Sequence, residues 1–176
     1  MNRSFKKTVK LTLCAALSGL SFIALYLGTI AGVFDLCAVV VGALCMAFAV
    51  IEFGGVWPWL VCAVASVLSF VLLPDKMVAL EYIFLGGAYP ILKCYFERGK
   101  KITSWILKLL YFNIALTAVL LVAKFVFPND EIWQILGPVT YIVGNAFFGF
   151  FDYAMTTFIT FYLVKLRKRL KLKDMH

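Results

Sequence analysis

A chain of 176 residues that is 64% hydrophobic and 15% charged, with a mean hydropathy of +0.96, is far more apolar than a soluble domain, where about half the residues are apolar and about a quarter charged. The same figures exclude an intrinsically disordered chain and a disulfide scaffold, and the net charge of +8 does not signal a nucleic-acid partner, because nearly all basic residues cluster beside apolar runs. At about 20 residues per membrane helix, the length accommodates roughly six spans and no separate soluble domain.

The first apolar run, 9–32, follows Arg3, Lys6, Lys7 and Lys10 and is longer than a signal-peptide core, so it is expected to stay as a helix. Small residues recur along it at four-residue spacing, Ala15 with Gly19 and then Ala24 with Gly28 and Gly32, the kind of face along which membrane helices approach closely. Packing between helices of the same chain is the plainer reading of such faces, but two of them exceed what one neighbour requires, which makes this first helix the candidate for docking a partner. The second run, 34–53, carries Ala38 and Gly42 and is closed by Gly54 and Gly55. The third, 56–73, stops at Pro74-Asp75-Lys76, a terminator followed by charge. In the fourth, 77–96, Pro90 lacks an amide hydrogen and crowds the carbonyl of Gly86, so a kink is expected near Gly86 and Gly87.

The fifth run, 102–127, closes at Pro128-Asn129-Asp130-Glu131. The remaining stretch, 132–166, is too long for one ordinary span and too short for two. A short interfacial segment at 132–136, carrying Trp133, followed by one tilted helix over 137–166 is the simpler solution, since proline suits a first helical turn and Pro138 stands there. The alternative is a helical hairpin broken at Gly144 or Gly149.

The predicted fold is therefore all-α, a single integral membrane domain of six transmembrane helices. Placing both termini in the cytoplasm puts every Lys and Arg on the inner side except Lys76 and Lys124, as the positive-inside rule requires for a multi-pass protein of the cell membrane. The basic clusters, including Lys165, Arg167, Lys168, Arg169, Lys171 and Lys173, then face anionic lipids. Trp57, Trp59, Trp105 and Trp133 fall near span ends, as interfacial anchors do.

The five cysteines lie inside apolar runs without a CxxC or Cys/His pattern, and the only histidine is His176, so no metal or cofactor is expected. No catalytic motif is present and no enzymatic activity is expected. Charges inside a membrane are costly and call for a functional reading by default. Lys93 and Lys108 are expected to snorkel to the inner surface, and Glu52 and Asp35 stand at helix ends. Glu81 and Lys124 match in depth near the outer surface, where they form the candidate substrate-binding pair, with Tyr82, Tyr89, Asn113, Tyr141 and Asn145 as further polar lining. Deeper, Asp152 stands level with Lys93, placed for an ion pair.

The basic start Lys6-Lys7-Thr8-Val9-Lys10 running into Leu13-Cys14-Ala15-Ala16-Leu17-Ser18-Gly19-Leu20, the short connections and the length resemble the substrate-binding S component of energy-coupling factor transporters, small bacterial six-helix proteins. Members of that family often dock the coupling subunit through an Ala-x-x-x-Ala face on the first helix, and the matching positions here are Ala15 and Gly19. The resemblance implies capture of a vitamin or other micronutrient, with a coupling membrane subunit and ATPase subunits as partners. The contrasting expectation is a non-catalytic membrane scaffold of cell-envelope assembly, in which the same helices serve only as a binding platform.

Overall fold

A computed structural model describes residues 3–32, 34–126 and 130–166. Phe127, the Pro128-Asn129 connection and the terminal basic residues Arg167, Lys168, Arg169, Lys171 and Lys173 lie outside them. The described residues are helical with no strand: α1 Arg3–Ala31, α2 Asp35–Glu52, α3 Trp57–Leu72, α4 Lys76–Glu81, a π-helical stretch Tyr82–Ala88, α5 Tyr89–Phe96, α6 Lys101–Val126, α7 Asp130–Phe161 and a closing π turn Tyr162–Leu166. Five helical stretches are long and apolar enough to cross a membrane, and α3, at 16 residues, is a shorter apolar helix. Many large apolar side chains point outward, among them Phe150 at 77% and Ile142 at 74% exposure, as suits a lipid-facing surface.

Two helix boundaries and one internal turn differ from the sequence expectation. Helix α1 begins at Arg3 rather than 9, because Lys and Arg are good helix formers and the end of an apolar run marks the lipid boundary rather than the end of the helix. Helix α7 begins at Asp130 and passes through 132–136, Pro138, Gly144 and Gly149 without a break, so neither a separate interfacial segment nor a hairpin forms. A membrane helix absorbs the one hydrogen bond that Pro138 removes. Around Pro90 the chain does not simply kink; it widens into a π turn just before the proline, which accommodates the missing donor.

The connection before α4 shows why its sequence works. Asp75 accepts a hydrogen bond from the Met77 amide at 2.8 Å and caps α4. Lys76 turns back and donates to the carbonyls of Phe70, Val71 and Leu73 at 2.8, 3.3 and 2.8 Å, satisfying the end of α3. Between α2 and α3, Gly54 and Gly55 take φ of +58° and +59°, a conformation that side-chain-bearing residues disfavour.

The chain forms two compact units, one comprising the residues up to Leu92 with those from Met155 onward, the other Lys93–Ala154. In the first, α1 buries Cys14, Ser18, Ser21, Leu25 and Gly28, one stripe at alternating four- and three-residue spacing, while α2 and α3 pack against α1. A Cβ on Gly28 would collide with that of Ala38, so the backbones of α1 and α2 are as close as glycine permits. The ring of Tyr82 lies beside Gly42 of α2 and Gly86 of its own π turn, and Gly87 lies against the Cys62 thiol. Leu25, Val39, Ala65, Leu73, Val78 and Ala79 pack with Tyr82. Near the other end of α2, Glu52 is 1% exposed and accepts a hydrogen bond from the Tyr162 hydroxyl at 3.0 Å.

Candidate functional site

The second unit carries the polar chemistry, along one face of α7. Tyr141, Asn145, Phe148 and Asp152 are separated by four, three and four residues, so they align over about 16 Å of helix. Opposite them, α6 presents Lys108, Phe112, Asn113 and Thr117. Gly144 brings the helices together, since a Cβ there would stand 3.2 Å from Leu116 Cδ2 and 3.4 Å from the Phe112 ring.

At the upper rungs Thr117 and Tyr141 share a hydrogen bond of 2.6 Å between hydroxyls. Below it, Asn113 and Asn145 form a reciprocal pair, each side-chain amide donating to the other's carbonyl oxygen at 3.1 Å. Each amide also donates to its own helix, Asn113 to the Leu109 carbonyl and Asn145 to the Tyr141 carbonyl, both at 2.8 Å. Both asparagines are half-buried. Phe112 and Phe148 stack beneath them with ring centroids 4.5 Å apart.

The lowest rung is ionic. Asp152 pairs through Oδ1 with Lys93 of α5 and through Oδ2 with Lys108 of α6, the latter at 3.1 Å. Both ammonium groups also converge on Oε1 of Glu97, Lys93 at 3.2 Å and Lys108 at 2.6 Å. The side chains of Lys93, Lys108 and Asp152 are 2%, 5% and 4% exposed, whereas that of Glu97 is 42% exposed. Neither lysine snorkels to the surface as the sequence suggested. Both turn inward because a buried carboxylate between them compensates the desolvation of their charges.

Glu81 ends α4 in the first unit and is half-buried, and Tyr89 of the same unit is fully buried. Lys124 is exposed on α6 in the second unit. The space beside Gly86, where the sequence suggested a kink, is taken by the Tyr82 ring. Ala15 is exposed, and nothing lies within 4 Å of a Cβ built on Gly19, so this small-residue face is open among the described residues while the Gly28 face is covered by α2.

An open trough of about 460 Å³ runs along the last turns of α7, lined by Thr156, Thr157, Thr160, Phe161, Val164 and Lys165, none of them a nominated residue. Among the described residues no three His, Cys, Asp or Glu side chains come together as a metal site would require. Sequence reasoning missed Thr117, Lys108 and Glu97 as partners in the ladder. For Thr117 a signal existed, its four-residue spacing from Asn113. For Glu97 there was one too, its four-residue spacing from Lys93. For Lys108 there was none, since the spacing along one helix does not report which neighbour it faces. No family model matches the chain, and no curated protein or solved structure matches it either.

Proposed function

We propose that this chain is the substrate-capture subunit of a micronutrient uptake transporter, crossing the cell membrane six times with both ends cytoplasmic. It performs no chemistry of its own and is energised by a coupling membrane subunit with partner ATPases. The observation that carries this is the ladder of hydrogen-bonding side chains on α6 and α7, Thr117 and Tyr141 above Asn113 and Asn145, in segments otherwise apolar enough to lie in lipid. Polar groups placed among apolar walls are how small-molecule sites achieve specificity. A cargo with hydroxyl or amide groups exchanges its hydrogen bonds for those of the asparagine pair, with Lys124 of the same unit supplying charge. The open face at Ala15 and Gly19 supports a docking role for α1, and the distribution of basic residues supports the inward termini.

The scaffold reading has one observation in its favour: the four ladder groups satisfy one another without any ligand. Affinity purification from native membranes, with identification of the subunits and small molecules that accompany the protein, separates the two. ATPase subunits and a bound micronutrient are expected. Envelope-synthesis proteins with no ATPase would replace capture by scaffolding.

A further inference from the structure

The ionic rung has a charge arrangement that a purely structural ion pair does not need. Two ammonium groups are buried around one buried carboxylate, Asp152, whose two oxygens are each engaged by a lysine. The balancing fourth charge, Glu97, is the one member that reaches the surface, and it engages both lysines through a single oxygen. Glu97 lies just past the last residue of α5, in the turn leading to α6, so its side chain can swing outward without disturbing a helix. Around it stand the exposed cations Arg98, Lys100 and Lys101. Trp105, 51% exposed, lies with its ring 5.8 Å from the Lys108 ammonium, and Ile102 and Ile106, at 76% and 61% exposure, extend the apolar face beside it. A basic socket, an interfacial tryptophan and an apolar face for acyl chains are the components of a site for an anionic lipid headgroup.

We propose that Lys93 and Lys108 form a socket for a phosphate-bearing anion carried by a membrane lipid, and that Glu97 is its built-in occupant, displaced when the headgroup enters. A phosphate presents two or more oxygens to the two ammonium groups where Glu97 presents one, and the exposed cations draw the headgroup toward the turn. This requires the chain to lie in a membrane but is independent of any cargo or ATPase partner.

Native mass spectrometry of the full chain in detergent micelles, titrated with phosphatidylglycerol, phosphatidylcholine or soluble glycerol phosphate, tests it. Glu97→Ala empties the socket and is expected to raise phosphatidylglycerol affinity about fivefold or more, the scale of one charged contact near a membrane surface, with little change for phosphatidylcholine. Lys108→Met in the Glu97→Ala background should remove that gain. Lys100→Gln with Lys101→Gln, which strips surface charge but leaves the socket, should retain it. Glu97→Ala protein of normal thermal stability whose phosphatidylglycerol affinity is unchanged or lower overturns the proposal. So does a gain seen for glycerol phosphate alone, or a gain that vanishes with Lys100 and Lys101.

Discussion

The two compact units are held by different physics. In the first, glycine and alanine let backbones approach until Gly28 meets Ala38, and the one large ring at the centre, Tyr82, is accommodated beside Gly42 and Gly86. In the second, α6 and α7 are joined by an ordered series of hydroxyl, amide and ionic contacts. Lipid tails offer no hydrophobic drive for helices to associate, so both solutions are available: dense van der Waals packing between small residues, or hydrogen bonds and charges between polar ones. They differ in how they fail. A packed glycine interface is damaged by adding atoms, whereas a polar ladder is damaged by removing one partner and leaving the other unsatisfied.

The largest expected effect is in the ladder. Asp152→Ala leaves Lys93 and Lys108 facing the partly exposed Glu97 without their buried carboxylate, and removal of one member of a buried ionic group costs about 3–5 kcal/mol. Protein level in membranes and the melting temperature in detergent should both fall sharply. Replacing Lys93, Lys108 and Asp152 together by Met, Met and Leu should recover much of the loss, because an apolar core has no charge to desolvate. A triple variant no more stable than Asp152→Ala would mean that the charges are required together for folding.

Next comes the glycine interface. Gly86→Leu, or Gly42→Leu, pushes a side chain into the Tyr82 ring, and overpacking of this kind costs about 1–3 kcal/mol. Gly19→Leu, placed on the same class of motif but facing open space, should leave melting unchanged while disrupting any partner docked on α1. Equal destabilisation by Gly19→Leu and Gly86→Leu would erase the distinction between a covered and an open face.

The smallest effect belongs to the asparagine pair. Asn113→Leu alone removes both bonds of the pair and leaves the Asn145 side-chain carbonyl oxygen without the Asn113 donor, and measured interhelical hydrogen bonds in membranes average about 0.6 kcal/mol with a maximum of about 1.7. The double variant Asn113→Leu with Asn145→Leu should return close to the stability of the unaltered chain, since no orphaned group remains. If the pair serves cargo, that stable double variant still loses uptake. Retained uptake would assign the asparagines to packing alone.

The helices and their lipid-crossing character were legible in the sequence because an apolar run of about 20 residues satisfies its backbone internally and needs no neighbour to define it. The Gly86, Gly87 and Pro90 cluster likewise announced an irregular turn. Helix ends were less legible, since the lipid boundary set by hydropathy and the helix boundary set by hydrogen bonding need not coincide, as α1 and α7 both show. The two small-residue faces of α1 have the same pattern, yet only tertiary structure decides that Gly28 is covered and Gly19 open, because the spacing of residues gives a stripe but not the direction in which it points. The same holds for the charges. Lys108 looked like a snorkelling anchor until Asp152, 44 residues away, proved to be beside it, and a contact between helices is a property of their rotation and packing that no local pattern contains.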